Sequence, residues 1–219
     1  MTNTKVFTAG NYGDRIRSDC RVEISVKKSG PPDIRIESKV DSMYGPSILE
    51  EVRETLKSYG KDKVRVLVRD LGALPFVINA RVESALRKMD PAITRRLLPE
   101  PPKPLAGSSR QRQRRSRLYL PGDQPKFFIN APLHDPDGII LDLEDSVAPE
   151  SKQDARILVR NALHAIDFGR SERMVRINQL PLGLEDLDEI IPASPNLILI
   201  PKVESPEEIM AVEERVVSR

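Results

Sequence analysis

Ile139-Ile-Leu-Asp-Leu-Glu-Asp145, entered through Asp137-Gly138, is the stretch on which the fold turns. Its apolar start shows no polar alternation, so it suits a strand covered on both faces, as in a parallel sheet flanked by helices. Working outward, Arg117-Leu-Tyr-Leu-Pro121 reads as a preceding strand that ends in Pro-Gly, a tight turn. Downstream, Ala155, Leu158, Val159 and Ala162 fall at helical spacing, Met174-Val-Arg-Ile177 reads as a third strand, and Leu197-Ile-Leu-Ile-Pro201 as a fourth. A last helix begins near Pro206-Glu207-Glu208, where acids complement the helix dipole. Strands alternating with helices predict repeated βα units over residues 118–219. In a parallel β/α barrel the chemistry gathers at the carboxyl ends of the strands. Asp142, Glu144 and Asp145 close the second strand, Arg176 and Asn178 the third, and Lys202 and Glu204 follow the fourth. Three neighbouring carboxylates suit a hard divalent cation, directly or through water, and an arginine fork suits a carboxylate substrate. Solvated acids and strand-end ion pairs are the competing reading.

The first ninety residues follow a different pattern. Cys20, Val22, Ile24 and Val26 alternate with polar residues, the period of a half-buried strand. Ser29-Gly30-Pro31-Pro32 turns the chain into a second strand at Ile34-Arg-Ile36. Ser47-Ile-Leu-Glu50 has the form of a capping box, and the helix after it sets Ile48, Val52 and Leu56 on one stripe before stopping at Gly60. Val64, Val66 and Val68 alternate as a third strand, and Leu74, Ile78, Val82, Ala85 and Met89 form one face of a second helix. The order is ββαβα, a small two-layer domain without histidine or a glycine-rich phosphate loop.

Charge marks the same division. Residues 1–90 carry a net +4, 91–117 a net +7 and 118–219 a net −9, within an overall +2. Residues 91–117 read as a connector: Pro99-Glu-Pro-Pro-Lys-Pro104 favours extended conformations, and the arginine-rich run Arg110–Arg117 follows Gly107-Ser-Ser109. No aromatic residue interleaves those arginines to stack bases, so nucleic acid is not expected. The run is read instead as a solvated linker, able to rest on the acidic second domain. With one cysteine and two histidines, His134 and His164, neither an internal disulfide nor a zinc site is expected. There is neither a leader pattern nor an apolar run of membrane-spanning length, and a cytoplasmic protein is the expectation.

Two sets of motifs resemble known families. Asp70–Leu86, DLGALPFVINARVESAL, is similar to the signature of the citrate lyase acyl carrier protein, the gamma subunit, and Ser18-Asp19-Cys-Arg-Val-Glu-Ile24 resembles that family's prosthetic-group segment. RRSRLYLPG, ILDLEDSVAPESK, VRINQL and LIPKVES resemble, in order, the citrate lyase beta subunit and its relatives, magnesium-dependent carbon–carbon lyases on β/α barrels. The first resemblance implies phosphoribosyl-dephospho-coenzyme A on Ser18, although the family's serine usually stands two positions before the aspartate, where this chain has Arg17. The second implies that Arg176 grips a substrate carboxylate and that Glu144 and Asp145 lie beside Mg2+, bound through its waters. It assigns no role to Lys202 or Glu204. The direct magnesium ligands are expected on strands beyond residue 219, and the chain by itself is expected to bind magnesium poorly and to lack lyase activity. The implied partners are an alpha-type acyl-transferase subunit, a prosthetic-group transferase and further copies of the chain, a homo-oligomer. The implied reaction is cleavage of a citryl thioester to oxaloacetate and an acetyl thioester. The alternatives are another 3-hydroxyacyl thioester, such as a methylated malyl thioester, or a carrier and assembly module without activity.

Overall fold

A computed structural model describes residues 5–105 and 107–218. The chain divides into two compact units, Met1–Leu97 and Leu98–Arg219.

In the first unit the elements run β1 (Val6–Ala9), β2 (Cys20–Val26), β3 (Asp33–Ser38), α1 (Asp41–Ser58), β4 (Val64–Asp70) and α2 (Pro75–Met89). The sheet order is β1-β2-β4-β3, with β2 antiparallel to both β1 and β4, and β3 parallel to β4. Cys20, Val22, Ile24, Val64, Val66 and Val68 point to one face and are buried against Ile48, Val52 and Leu56 of α1 and Ile78, Val82 and Leu86 of α2. Each such side chain contributes roughly 1.5–3 kcal/mol by leaving water. The opposite face is charged, with Arg69 pairing both Glu23 and Glu37 across three strands.

Four expectations are corrected here. Val6–Ala9 adds a strand that four residues of mixed polarity do not announce, so the order is βββαβα. The helix starts at Asp41 rather than Ser47; Pro46 lies inside it, and the Ser47 hydroxyl donates to the Tyr44 carbonyl instead of capping. Leu74 stands just before α2, 43% exposed, instead of on its buried face. Val26, at the end of its strand, is exposed as well.

The second unit contains β5 (Arg117–Pro121), α3 (Pro125–Asn130), β6 (Gly138–Asp142), α4 (Lys152–Ala165), β7 (Glu172–Arg176), α5 (Leu182–Ile190), β8 (Leu197–Leu199) and α6 (Pro206–Val217). The four strands form one all-parallel sheet in sequence order, as the βα repeat requires. Every residue of β6 is buried, consistent with its continuous apolar run. β6 ends at Asp142, so Glu144 and Asp145 stand in the turn beyond it. β7 begins two residues earlier than its apolar residues suggest, and β8 stops at Leu199. Helix α6 opens with a capping box between Ser205 and Glu208. The arginine run does not hang free: Arg112 and Arg114 pair with the buried Glu172, and Arg115 with Asp137. Among the described residues no helix is long and apolar enough to cross a membrane.

Candidate active site and prosthetic-group segment

Strand register builds the site at the carboxyl ends of the second unit. β6 and β7 are parallel with Asp142 opposite Arg176, so the final side chains of neighbouring strands stand side by side. Arg176 Nε donates to Asp142 Oδ1 at 2.7 Å and Nη2 to Oδ2 at 2.8 Å, a two-pronged charge-assisted pair. Its Nη1 lies 3.0 Å from Glu144 Oε2 and 3.5 Å from Asp145 Oδ2. The Tyr119 ring of β5 sits 5.3 Å from the guanidinium carbon. Gly122 belongs to the same construction: its amide donates to the Asp142 carbonyl at 2.8 Å, and a Cβ there would lie 2.5 Å from that oxygen. Only glycine admits this approach.

Asp142 is 2% exposed, and its oxygens also accept the amides of Glu144 and Ser146. Burial pushes its carboxyl up, but the Arg176, Ser146 and Glu144 donors outweigh burial and hold it below the ordinary value of 3.8. The Asp142 hydrogen bonds also raise the Arg176 pKa, so this arginine is a permanent cation. The expected trio of carboxylates for a cation is therefore corrected. Asp142 is committed to Arg176 and to the turn, and among the described residues no group of three acids or other ligands could hold a metal ion.

Glu144 and Asp145 remain as a pair. Glu144 is 5% exposed, with Oε1 accepting from Gln179 Nε2 at 3.2 Å and paired with Lys202 Nζ at 3.0 Å. Its Oε2 is buried without a hydrogen-bond partner, the Arg176 contact being an ion pair only. Lys202 reaches Asp145 as well, at 3.6 Å, from a backbone at φ +48°, and the hydrogen bond to Glu144 raises its pKa. Lys152 Nζ donates to the Leu143 carbonyl at 2.6 Å and to that of Glu144, which holds the turn from behind. Burial lowers the Lys152 pKa while the surrounding carboxylates oppose that shift. Lys202 thus takes the ion-pair reading, and Glu204 is exposed. Lys152, Gln179 and Tyr119 were not singled out from the sequence, although each lies inside one of the quoted motifs. His134 lies in a single 3-10 turn, and His164 Nδ1 is 3.0 Å from the Pro99 carbonyl oxygen.

In the first unit Ser18 stands at the end of the sheet. Its amide donates to the Leu71 carbonyl at 3.1 Å, and its φ of +55° is unusual for serine. Next to it, Asp19 is buried and receives Arg81 Nε and Nη2, each at 2.9 Å, along with Asn11 Nδ2 at 3.0 Å. This anchored aspartate holds the segment while Ser18 remains half-buried and Arg17 exposed. Cys20 is fully buried; burial, then Asp19, pushes its thiol up, which excludes it as a nucleophile.

Comparison with known proteins agrees with this division. Residues 115–219 match the HpcH/HpaI aldolase/citrate lyase family model, and residues 8–89 match that of the malonate decarboxylase delta subunit (MdcD), an acyl carrier protein model. The carrier model is thus described for malonate decarboxylase, whereas the sequence motifs resemble the citrate lyase gamma subunit. Human mitochondrial citramalyl-CoA lyase is 41% identical over 100 residues, 44% of this chain and 29% of that protein. Citrate lyase subunit beta of Leuconostoc mesenteroides subsp. cremoris is 39% identical over 97 residues, 43% of this chain and 32% of that protein. The solved structure of protein CitE from Mycobacterium tuberculosis in complex with magnesium and acetoacetate is 31% identical, with a TM-score of 0.37 over 44% of this chain and 41% of that chain. The chain spans about a third of the length of these curated relatives. Residues 8–89 are thus similar to acyl carriers of the MdcD type, and residues 115–219 to the HpcH/HpaI aldolase/citrate lyase family.

Proposed function

We propose that the chain is the carrier-plus-lyase part of a citrate lyase-type enzyme. Ser18 carries phosphoribosyl-dephospho-coenzyme A through a phosphodiester, and the second unit takes part in cleaving the citryl thioester at the end of that arm. The observation that carries this reading is the joining, in one chain, of a carrier domain to a lyase-family unit whose strand ends assemble Arg176, Glu144 and Asp145.

Arg176 is already oriented by Asp142 through Nε and one Nη2 hydrogen, with Nη1 on Glu144 and Asp145, and its second Nη2 hydrogen is the donor left for the carboxylate of the departing keto acid. In the cleavage the hydroxyl gives up its proton, and the bond to the methylene next to the thioester breaks. The electron pair passes to that carbon as an enolate, which is protonated to the acetyl thioester while oxaloacetate leaves. Glu144 Oε2, buried without a hydrogen-bond partner though ion-paired with Arg176, and the adjacent Asp145 are the residues that would hold a cation, together with water or further ligands. Mg2+ bound there would stabilise the oxyanion that develops on the forming ketone. Arg176 and Lys202 meanwhile hold the acidic pair in place. Joining arm and lyase unit in one chain replaces a bimolecular encounter with an effective concentration set by the linker.

The second reading is a citramalyl thioester as substrate, favoured by the 41% identity to a citramalyl-CoA lyase. The implied partners stay an alpha-type acyl-transferase, a prosthetic-group transferase and further copies of the chain, in the cytoplasm. The test is peptide mass spectrometry of the chain made beside its transferase, with product analysis of the complete lyase supplied with citryl and citramalyl thioesters. An adduct on Ser18 and oxaloacetate from the citryl thioester are expected. Pyruvate released from the citramalyl thioester alone would move the assignment to the second reading, and an adduct on another serine would reject Ser18.

A further inference from the structure

The carrier unit contains a groove that neither the sheet core nor the arm's attachment point uses. It opens between the first turns of α1 and the start of α2, with Ile48 and Ile78 on its floor and Tyr44, Glu51, Gly72 and Leu74 around it. Its volume is about 380 Å3, within the ~300–1,000 Å3 range of small-molecule sites. Tyr44 and Leu74 are large apolar residues left 53% and 43% exposed at its mouth.

A backbone hydrogen bond sets Ser18 next to one wall of this groove. Cys20 pairs with Asp70, the Leu71 amide donates to the Asp19 carbonyl at 3.0 Å and the Ser18 amide to the Leu71 carbonyl at 3.1 Å, so Ser18 lies against Leu71, the residue before Gly72. Gly72 (φ +82°) lines the groove, and a Cβ built there meets nothing within 4 Å, so the wall nearest Leu71 is open. Arg15 and Arg17, both exposed, precede the serine and bring positive charge suited to a phosphodiester, although Arg17 Nη1 donates to the Asp14 and Ile16 carbonyls at 2.7 Å each.

Resting on the reading of Ser18 as attachment point, we propose that this groove binds the adenine of the serine-linked arm. The proximal nucleotide is thereby parked on the carrier, and the pantetheine end is left to swing. The chemistry matches. The base has an apolar face for Tyr44 and Leu74, and aromatic stacking is tolerant of the ring it meets. Glu51, whose Oε1 accepts from Asn79 Nδ2 at 2.7 Å, supplies a carboxylate for the exocyclic amino group. A long acyl chain would find only a short groove with a carboxylate in its wall.

The test uses the full chain made without its transferase, titrated with dephospho-coenzyme A and separately with pantetheine while NMR follows the backbone amides. Dephospho-coenzyme A should shift Tyr44, Ile48, Gly72 and Leu74, and pantetheine should leave them in place. Tyr44→Ala, a change at an exposed position, should weaken dephospho-coenzyme A about tenfold. Equal affinity of the variant, shifts confined to residues 98–219, or groove shifts caused by pantetheine would each overturn the proposal. Attachment is read independently, by mass, on the chain made beside its transferase. Loss of the Ser18 adduct would therefore sink the functional reading without touching the groove measurement.

Discussion

In the proposed function, Arg176 is the residue that binds the substrate carboxylate. Five donors on a planar fork let it hold Asp142 and face Glu144 and Asp145 at once while still presenting a donor, which a lysine's single nitrogen cannot do. In the complete lyase, Arg176→Lys should cut kcat/KM by roughly 30-fold or more, corresponding to the ~2–5 kcal/mol of a lost two-pronged contact to a desolvated carboxylate. Unchanged activity at limiting substrate would remove Arg176 from the binding role. Asp142 acts one step behind. Its folded pKa lies below the ordinary 3.8, so the unfolded chain takes up its proton first on acidification. Its contribution is complete above about pH 4 and is lost as pH falls through the lower, folded value. Asp142→Asn should cost roughly 1–3 kcal/mol at neutral pH. It should also flatten the dependence of stability on pH below about 4, as read by urea melts across an acid series. A slope as steep as the parent's would show that Asp142 is not the titrating group. The residue types of this pair were legible as strand-end charges. Their mutual commitment was not, because a sequence gives the distance along each strand and not the register between strands.

At the scale of elements, the periodic ones were the ones legible in the chain. β2, β4 and the α1 stripe of Ile48, Val52 and Leu56 follow from simple period-two or helical spacing, and β6 from its unbroken apolar run. The start of α1 was not legible. A proline at its sixth position, following Gly45, reads as a break, yet the early turns are held by Val40 carbonyl bonds to the amides of Met43 and Tyr44. β1 owes its existence to pairing with β2 and to the cover of α2, neither of which four residues can announce. Helix α6 offers a clean test of local coding, since Ser205 and Glu208 reciprocally satisfy backbone donors. Ser205→Ala should lower the stability of the second unit by about 1 kcal/mol, measured by denaturant unfolding. No change would mean that Pro206 and tertiary packing set the helix start by themselves.

For the molecule as a whole, two compact units with separate cores predict two separable unfolding events. Leu56→Ala in the first and Leu158→Ala in the second, both buried, should each cost ~2–5 kcal/mol and lower one calorimetric transition while leaving the other in place. A single transition that moved with either change would contradict this. By itself the sequence marked the parallel class of the second sheet, the periodic elements of the first unit, and the candidates Ser18, Glu144, Asp145 and Arg176, because local period, turn chemistry and motif wording are properties of contiguous residues. Tertiary structure alone decided that Asp142 belongs to Arg176 and not to a cation, that Lys202 crosses from another strand end to Glu144, and that Glu172 gathers Arg112 and Arg114. It alone set Ser18 against Leu71, next to the Gly72 that lines an apolar groove. Each of these joins residues distant in the chain, and their partners are chosen by strand register and by the cost of burying an uncompensated charge, quantities that no single segment carries.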